Sequence, residues 1–238
     1  MKVILHPTWR CPLRCSYCSV HAQGLERDTA ERPWHDWAAW TAQLPRRSHI
    51  EISGGEPLAY AGLLDLLRAI GAQGHDWGLT TNAVPDAVWA LAEARLVGSV
   101  AVNVSVQPQS PPDLADRIRA LGAAYSVHVN HVEHPASPPV PDLAVPVNRI
   151  PYQAWAEGAA LDGVRRVCDA GTRHLCTDPA GRLYRCLVEL QSGAEPLGTI
   201  DMPIGEIVTA GEYDCDHGCT TCYTDNPAAW EVNMREGS

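Results

Sequence analysis

Five short apolar runs, each trailed by a segment of helical period, constrain this chain more than any other feature. Residues 3–5, 50–52, 77–81, 100–106 and 125–132 are rich in β-branched and aromatic side chains and read as strands. Between them, Trp34, Trp37, Trp40 and Leu44 recur at helical spacing behind Pro33. Leu63, Leu64, Leu66, Leu67 and Ile70 mark a second helix closed by Gly71 and Gly74. Residues 86–96 give a third, and Leu114, Ile118 and Leu121 a fourth. Strands alternating with helices imply right-handed βαβ units and a parallel sheet. With a sixth strand at residues 145–150, the pattern predicts an α/β fold, a partial (β/α)6 barrel. Such barrels set their chemistry on the loops at the C-terminal ends of their strands. The tryptophan stripe reads as core. The five prolines between residues 133 and 146 predict an extended connector, not a helix.

The loop after the first strand carries Cys11-x3-Cys15-x2-Cys18. Three thiolates on so short a segment can converge on one centre, and soft sulfur selects zinc or an iron–sulfur cluster. His21 offers a fourth ligand for zinc. If no protein group completes the set, one iron of a [4Fe–4S] cluster stays open to a non-protein ligand.

The second strand ends in Ser53-Gly54-Gly55-Glu56-Pro57. Paired glycines let backbone approach a ligand closely. Exposed carbonyls and Glu56 are acceptors suited to an ammonium group. Taken with the cysteine spacing, the aromatic Tyr17 before the third cysteine, and Thr80-Thr81-Asn82 after the third strand, this pattern resembles the radical S-adenosylmethionine (radical SAM) superfamily. The resemblance implies that Cys11, Cys15 and Cys18 hold three irons of a [4Fe–4S] cluster and that S-adenosylmethionine chelates the fourth. Reductive cleavage would then give a 5′-deoxyadenosyl radical that abstracts hydrogen from substrate. Gly54, Gly55 and Glu56 become the methionine-amine site, with Tyr17 near the adenine. Asn103 and Ser105, alternating on the fourth strand, reach the ribose or carboxylate, and Asn82 and Asn130, which close the third and fifth strands, are further candidate cofactor-binding residues. Each of these polar residues would equally serve to satisfy local backbone groups. Arg149, at the end of the sixth strand, is a candidate to bind substrate or the cofactor carboxylate, with a surface salt bridge as the alternative.

The pattern changes after residue 150, which divides the chain into a barrel (1–150) and an appendage (151–238). Asp178-Pro179-Ala180-Gly181 is a turn between two short alternating runs, hence a β-hairpin. Cys168, Gly181, Cys186, Leu197–Ile200 and Cys219-x2-Cys222 resemble the twitch domain, a small relative of the SPASM appendage of radical SAM enzymes. That resemblance implies an auxiliary [4Fe–4S] cluster on Cys168, Cys186, Cys219 and Cys222, which accepts an electron or binds substrate. Cys176 and Cys215 are surplus. Cys176 reads as a small buried apolar residue, and Cys215 either lies near the cluster or replaces one of its ligands.

Nine clustered cysteines argue for metal ligands over a secreted disulfide framework. A net charge of −10 weighs against nucleic acid as a partner. No apolar run of about 20 residues is present to span a bilayer, and no signal peptide opens the chain, so the expected location is cytoplasmic. The expected partners are a small-molecule or nucleotide-type substrate and an electron donor such as flavodoxin or ferredoxin. The rival within the superfamily is a peptide maturase, disfavoured because the first strand starts at residue 2 and leaves no room for an N-terminal peptide-recognition domain. A zinc-binding interaction module built on Cys11, Cys15, Cys18, His21 and the C-terminal thiols leaves the βα pattern unexplained.

Overall fold

All six expected strands form in a computed structural model of the chain, which describes residues 1–151, 166–168, 170–208 and 213–215. They are β1 (Lys2–Leu5), β2 (His49–Ile52), β3 (Asp76–Thr81), β4 (Ser99–Val106), β5 (Val127–Glu133) and β6 (Val147–Pro151). They pair in that order and all in parallel, as βαβ crossovers require. The helices are α1 (Ser19–Ala22), a single turn after the third cysteine, then α2 (Trp34–Thr41), α3 (Leu63–Ala72), α4 (Ala87–Ala94) and α5 (Leu114–Gly122). The third of the predicted helices stops at Ala94, short of residue 96, because Arg95 adopts a left-handed backbone (φ 44°). The proline-rich segment holds no helix, as predicted.

Strand alternation divides the sheet into an apolar and a polar face. Val3, Ile50, Leu79, Val102 and Val104 are fully buried against Trp37, Trp40, Leu66 and Leu91 of the covering helices. Each such tryptophan removes about 150–250 Å² from water, at about 25 cal/mol per Å² of apolar area. Their indole N–H groups lie buried with no partner among the described residues, which offsets part of that gain. Trp34 departs from the expected core stripe. It is 37% exposed, and its Cβ lies where a side chain on Gly62 would otherwise stand. The opposite face of the strands carries Glu51, Thr80, Asn103, Ser105, Asn130 and Asn148, since Thr80 pairs with Asn103 and Ser105 with Asn130, itself opposite Asn148.

The hairpin around Asp178–Gly181 is present as β8 (His174–Thr177) and β9 (Arg182–Tyr184), following β7 (Arg166–Cys168). Gly181 takes φ +84°, and Asp178 Oδ1 accepts the Arg182 N–H at 2.9 Å across the turn. β8 lies parallel to the free side of β1, with Ile4 opposite Cys176, and β10 (Gly198–Thr199) adds to β9. One nine-stranded sheet results, in the order β10-β9-β8-β1-β2-β3-β4-β5-β6. β7 pairs separately with β11 (Tyr213–Cys215), setting Tyr213 opposite Cys168. Two short helices, α6 (Leu187–Ser192) and α7 (Ile204–Ile207), complete the described chain. No helix among the described residues is long and apolar enough to cross a membrane.

Candidate active site

The cysteine loop is bound to the end of β2 by backbone alone. Gly55 N–H donates to the Thr8 carbonyl at 3.0 Å and Glu56 N–H to the Arg10 carbonyl at 2.8 Å. A Cβ on Gly55 would stand 2.4 Å from the Trp9 oxygen and 2.5 Å from that of Arg10. A Cβ on Gly54, whose φ is +127°, would stand 2.5 Å from the Thr8 oxygen. Close approach is therefore required at both glycines, and the backbone that approaches is the cysteine loop's own.

Cys15 is buried, and Cys11 and Cys18 are partly so. Burial pushes the Cys11 thiol up to about 11; the Leu13 N–H opposes this, while charge on Glu56, Cys18 and Cys15 adds to it. Burial also raises Cys15. Burial is thus the main cause of both raised values, with charge on the neighbouring thiols a smaller contribution. Among the described residues no three Cys, His, Asp or Glu side chains converge tightly enough to hold an ion. A four-iron cube, which takes one thiolate per iron, spaces its ligands more widely than a single zinc ion does. His21, the candidate zinc ligand, turns Nε2 to the Leu13 carbonyl at 3.0 Å and Nδ1 toward Glu26 at 3.5 Å. Its ring staples the loop.

Glu56 is 1% exposed and joins the ends of β2 and β3. Its Oε1 accepts from Thr81 Oγ1 at 2.6 Å and from Leu58 N at 3.0 Å, and its Oε2 accepts from Asn82 N at 2.7 Å. Burial pushes its carboxyl up to about 7, and those three hydrogen bonds hold it from rising further. Asn82 extends from β3 back to the cysteine loop, with Nδ2 3.5 Å from Cys11 Sγ.

Tyr17 donates its hydroxyl to Gln107 Oε1 at 2.6 Å, and the Cys15 thiol meets the same oxygen at 3.4 Å. Gln107, 6% exposed just beyond β4, has no counterpart among the residues picked out from the sequence. Its signal was present, because it continues the Asn103, Ser105 alternation by one further step. Asn103 and Ser105 lie on the polar face, as does Asn130, which accepts from Asn148 Nδ2 at 3.1 Å. Arg149 is the odd member. One residue beyond Asn148, it alternates away from that face and sits exposed, 3.7 Å from Glu133.

Of the second cysteine group, Cys168 lies on β7 and Cys186 directly before α6. Cys219 and Cys222 lie outside the described residues. Cys176 is fully buried beside Trp9 and Tyr184, 3.7 Å from His6 Nδ1, consistent with a small core residue. Cys215 lies on β11.

Comparison with known proteins completes the assignment. A family model described as the Radical SAM superfamily matches residues 5–177. A PqqA peptide cyclase of Rhodopseudomonas palustris is 34% identical over 133 residues, covering 53% of this chain and 33% of that protein. Its counterpart in Ruegeria pomeroyi is 38% identical over 123 residues, covering 47% and 30%. The chain thus spans about a third of the length of the curated relatives it matches. Among solved structures, Streptococcus suis SuiB bound to precursor peptide SuiA superposes with a TM-score of 0.61 at 13% identity, over 88% of this chain and 64% of that one. BtrN in complex with AdoMet and 2-DOIA gives 0.60 at 15%, over 87% and 80%. At such identities these structures share the fold alone. The curated relatives, named for a peptide, overturn the expectation of a small-molecule partner. The start of the first strand at residue 2 was no guide, because this chain matches only part of those relatives. The chain belongs to the radical SAM superfamily.

Proposed function

We propose that this chain carries the radical-generating part of a peptide-modifying enzyme, with Cys11, Cys15 and Cys18 holding a [4Fe–4S] cluster that S-adenosylmethionine completes. The peptide reading rests on one observation, the 34% identity over 133 residues to a PqqA peptide cyclase. Bound there, cluster and cofactor supply a carbon-centred radical able to abstract hydrogen from an unactivated position.

The chain's own residues have separate tasks. Gly54 and Gly55 let the end of the second strand close against the backbone of the cysteine loop and so fix its path. Glu56 has three of about four acceptor positions filled, leaving Oε2 room for one ammonium hydrogen. A cation there would draw the near-neutral carboxyl into its ionised form. Asn103, Ser105 and Asn130 offer hydroxyl and amide groups suited to a nucleoside and its ribose, while Tyr17, its hydroxyl donated to Gln107, offers its ring to the adenine. Arg149, exposed beside Glu133, is better placed to meet an acidic residue of an incoming peptide than the cofactor. Residues 151–238 form the proposed appendage, with Cys168, Cys186, Cys219 and Cys222 as ligands of an auxiliary cluster.

The test is anaerobic incubation of reconstituted protein with S-adenosylmethionine, dithionite and synthetic short peptides encoded beside its gene, followed by mass spectrometry. Cleaved cofactor together with a peptide lighter by two hydrogens, as a radical cyclisation would leave it, is the expected result. Cofactor cleavage with no change in any such peptide would refute the peptide assignment while leaving the cluster in place.

A further inference from the structure

The side-chain amide of Asn82 has one orientation open to it. Its Oδ1 accepts the Val84 N–H at 2.9 Å, so Nδ2 is turned the other way, where Cys11 Sγ lies at 3.5 Å. Its backbone N–H is spent on Glu56 Oε2 at 2.7 Å, and the residue is 7% exposed. The turn that carries it is fixed as well. Ala83 adopts φ 54°, and its N–H donates to Thr81 Oγ1 at 2.9 Å. Cys11 Sγ accepts a second N–H, from Leu13, also at 3.5 Å. Cys15 Sγ instead faces two amide oxygens, of Gln107 at 3.4 Å and Gln109 at 3.6 Å. Among the described residues, then, N–H donors gather on one sulfur of the three. Donors aimed at a cluster sulfur stabilise the negative charge gained on reduction, and so raise the potential.

We propose that Asn82 is a positioning residue for the cluster and not a contact to S-adenosylmethionine: its fixed amide donates to the Cys11 thiolate and holds the reduction potential up. The proposal rests on the reading of Cys11, Cys15 and Cys18 as cluster ligands. It revises the sequence-based expectation for Asn82, which placed it against the cofactor. Oδ1, the atom a cofactor amine would seek, already serves Val84, and Nδ2 is directed at sulfur.

Two variants test it. Asn82→Ala removes the donor, while Asn82→Asp keeps an oxygen for Val84 and turns a second oxygen toward the sulfur. Reconstituted proteins are titrated electrochemically, following the EPR signal that changes when S-adenosylmethionine is added. Without cofactor present, Asn82→Ala should lower the ratio of reduced to oxidised cluster at a fixed poise about tenfold, or about 59 mV for one electron. Asn82→Asp should lower it further. An unchanged or raised potential in Asn82→Ala would overturn the proposal, as would a wild-type potential combined with a higher cofactor concentration needed to perturb the signal. Loss of iron from both variants would overturn it too, being the mark of a residue needed only to shape the turn. A wild-type protein without any cofactor-responsive signal is a different failure, that of the cluster reading itself.

Discussion

Gly55 and Glu56 sit side by side and are constrained by opposite means, one by lack of a side chain and one by burial of its charge. Gly55→Ala would drive a Cβ to 2.4 Å from one carbonyl oxygen and 2.5 Å from another, both backbone and neither free to swing away. We expect a loss of more than about 2 kcal/mol, at the severe end for a single substitution, read by urea denaturation, with iron uptake abolished. Glu56 and His6 give the cluster-free protein a pH signature. Burial holds Glu56 up near 7 and His6, whose Nδ1–H donates to the Thr177 carbonyl at 2.6 Å, down near 4. The stability contributed by Glu56's raised value is complete below about 4.5 and is lost as pH rises through about 7. That contributed by His6's lowered value is complete above about 6.5 and is lost as pH falls through about 4. The two slopes oppose each other between those limits. Glu56→Gln should therefore expose a stability that climbs with pH across that window, by on the order of 3 kcal/mol, in urea titrations at its two ends. A profile parallel to wild type would contradict the assignment.

The strand ends are where sequence and structure can be weighed against each other. β1 to β6 were legible because each pairs with its neighbour in sequence order and buries one face, so local periodicity carried the information. The parallel seat of β8 on β1 was not, because Ile4 and Cys176 pair across most of the chain and no local pattern encodes that register. Trp34 likewise kept the helical period while lying at the rim, since periodicity gives a direction but not where the cover ends. Of the site, cysteines, glycines and acid were readable because their spacing within short segments is itself the signal. Gln107 was missed because its partners, Tyr17 and Cys15, lie about 90 residues away in sequence. This contact is open to a double-mutant cycle. Tyr17→Phe and Gln107→Leu should each cost about 1–3 kcal/mol by removing the buried hydrogen bond between them. The double variant should cost clearly less than their sum, measured by thermal or urea unfolding, whereas strict additivity would show that the hydrogen bond contributes nothing.

Across the whole molecule, a polar sheet face opens toward the cysteine loop, and the helices seal the opposite face. The hairpin after residue 170 joins the sheet beside β1, so that His6, the first residue past that strand, bonds to Thr177 through both backbone and ring. The stem of the cysteine loop is thereby tied to the C-terminal region on one side and to β2 and β3 on the other. A cysteine loop anchored on both sides suits a centre that must stay intact through repeated reduction. The most direct test is to count 5′-deoxyadenosine formed by anaerobically reconstituted protein with S-adenosylmethionine and dithionite, alongside Cys15→Ala and Cys186→Ala. Formation by wild type, its abolition in Cys15→Ala and its survival at least in part in Cys186→Ala is the predicted outcome. Cleavage that persists in Cys15→Ala, or that is absent from fully iron-loaded wild type, would contradict the assignment of the N-terminal cysteines.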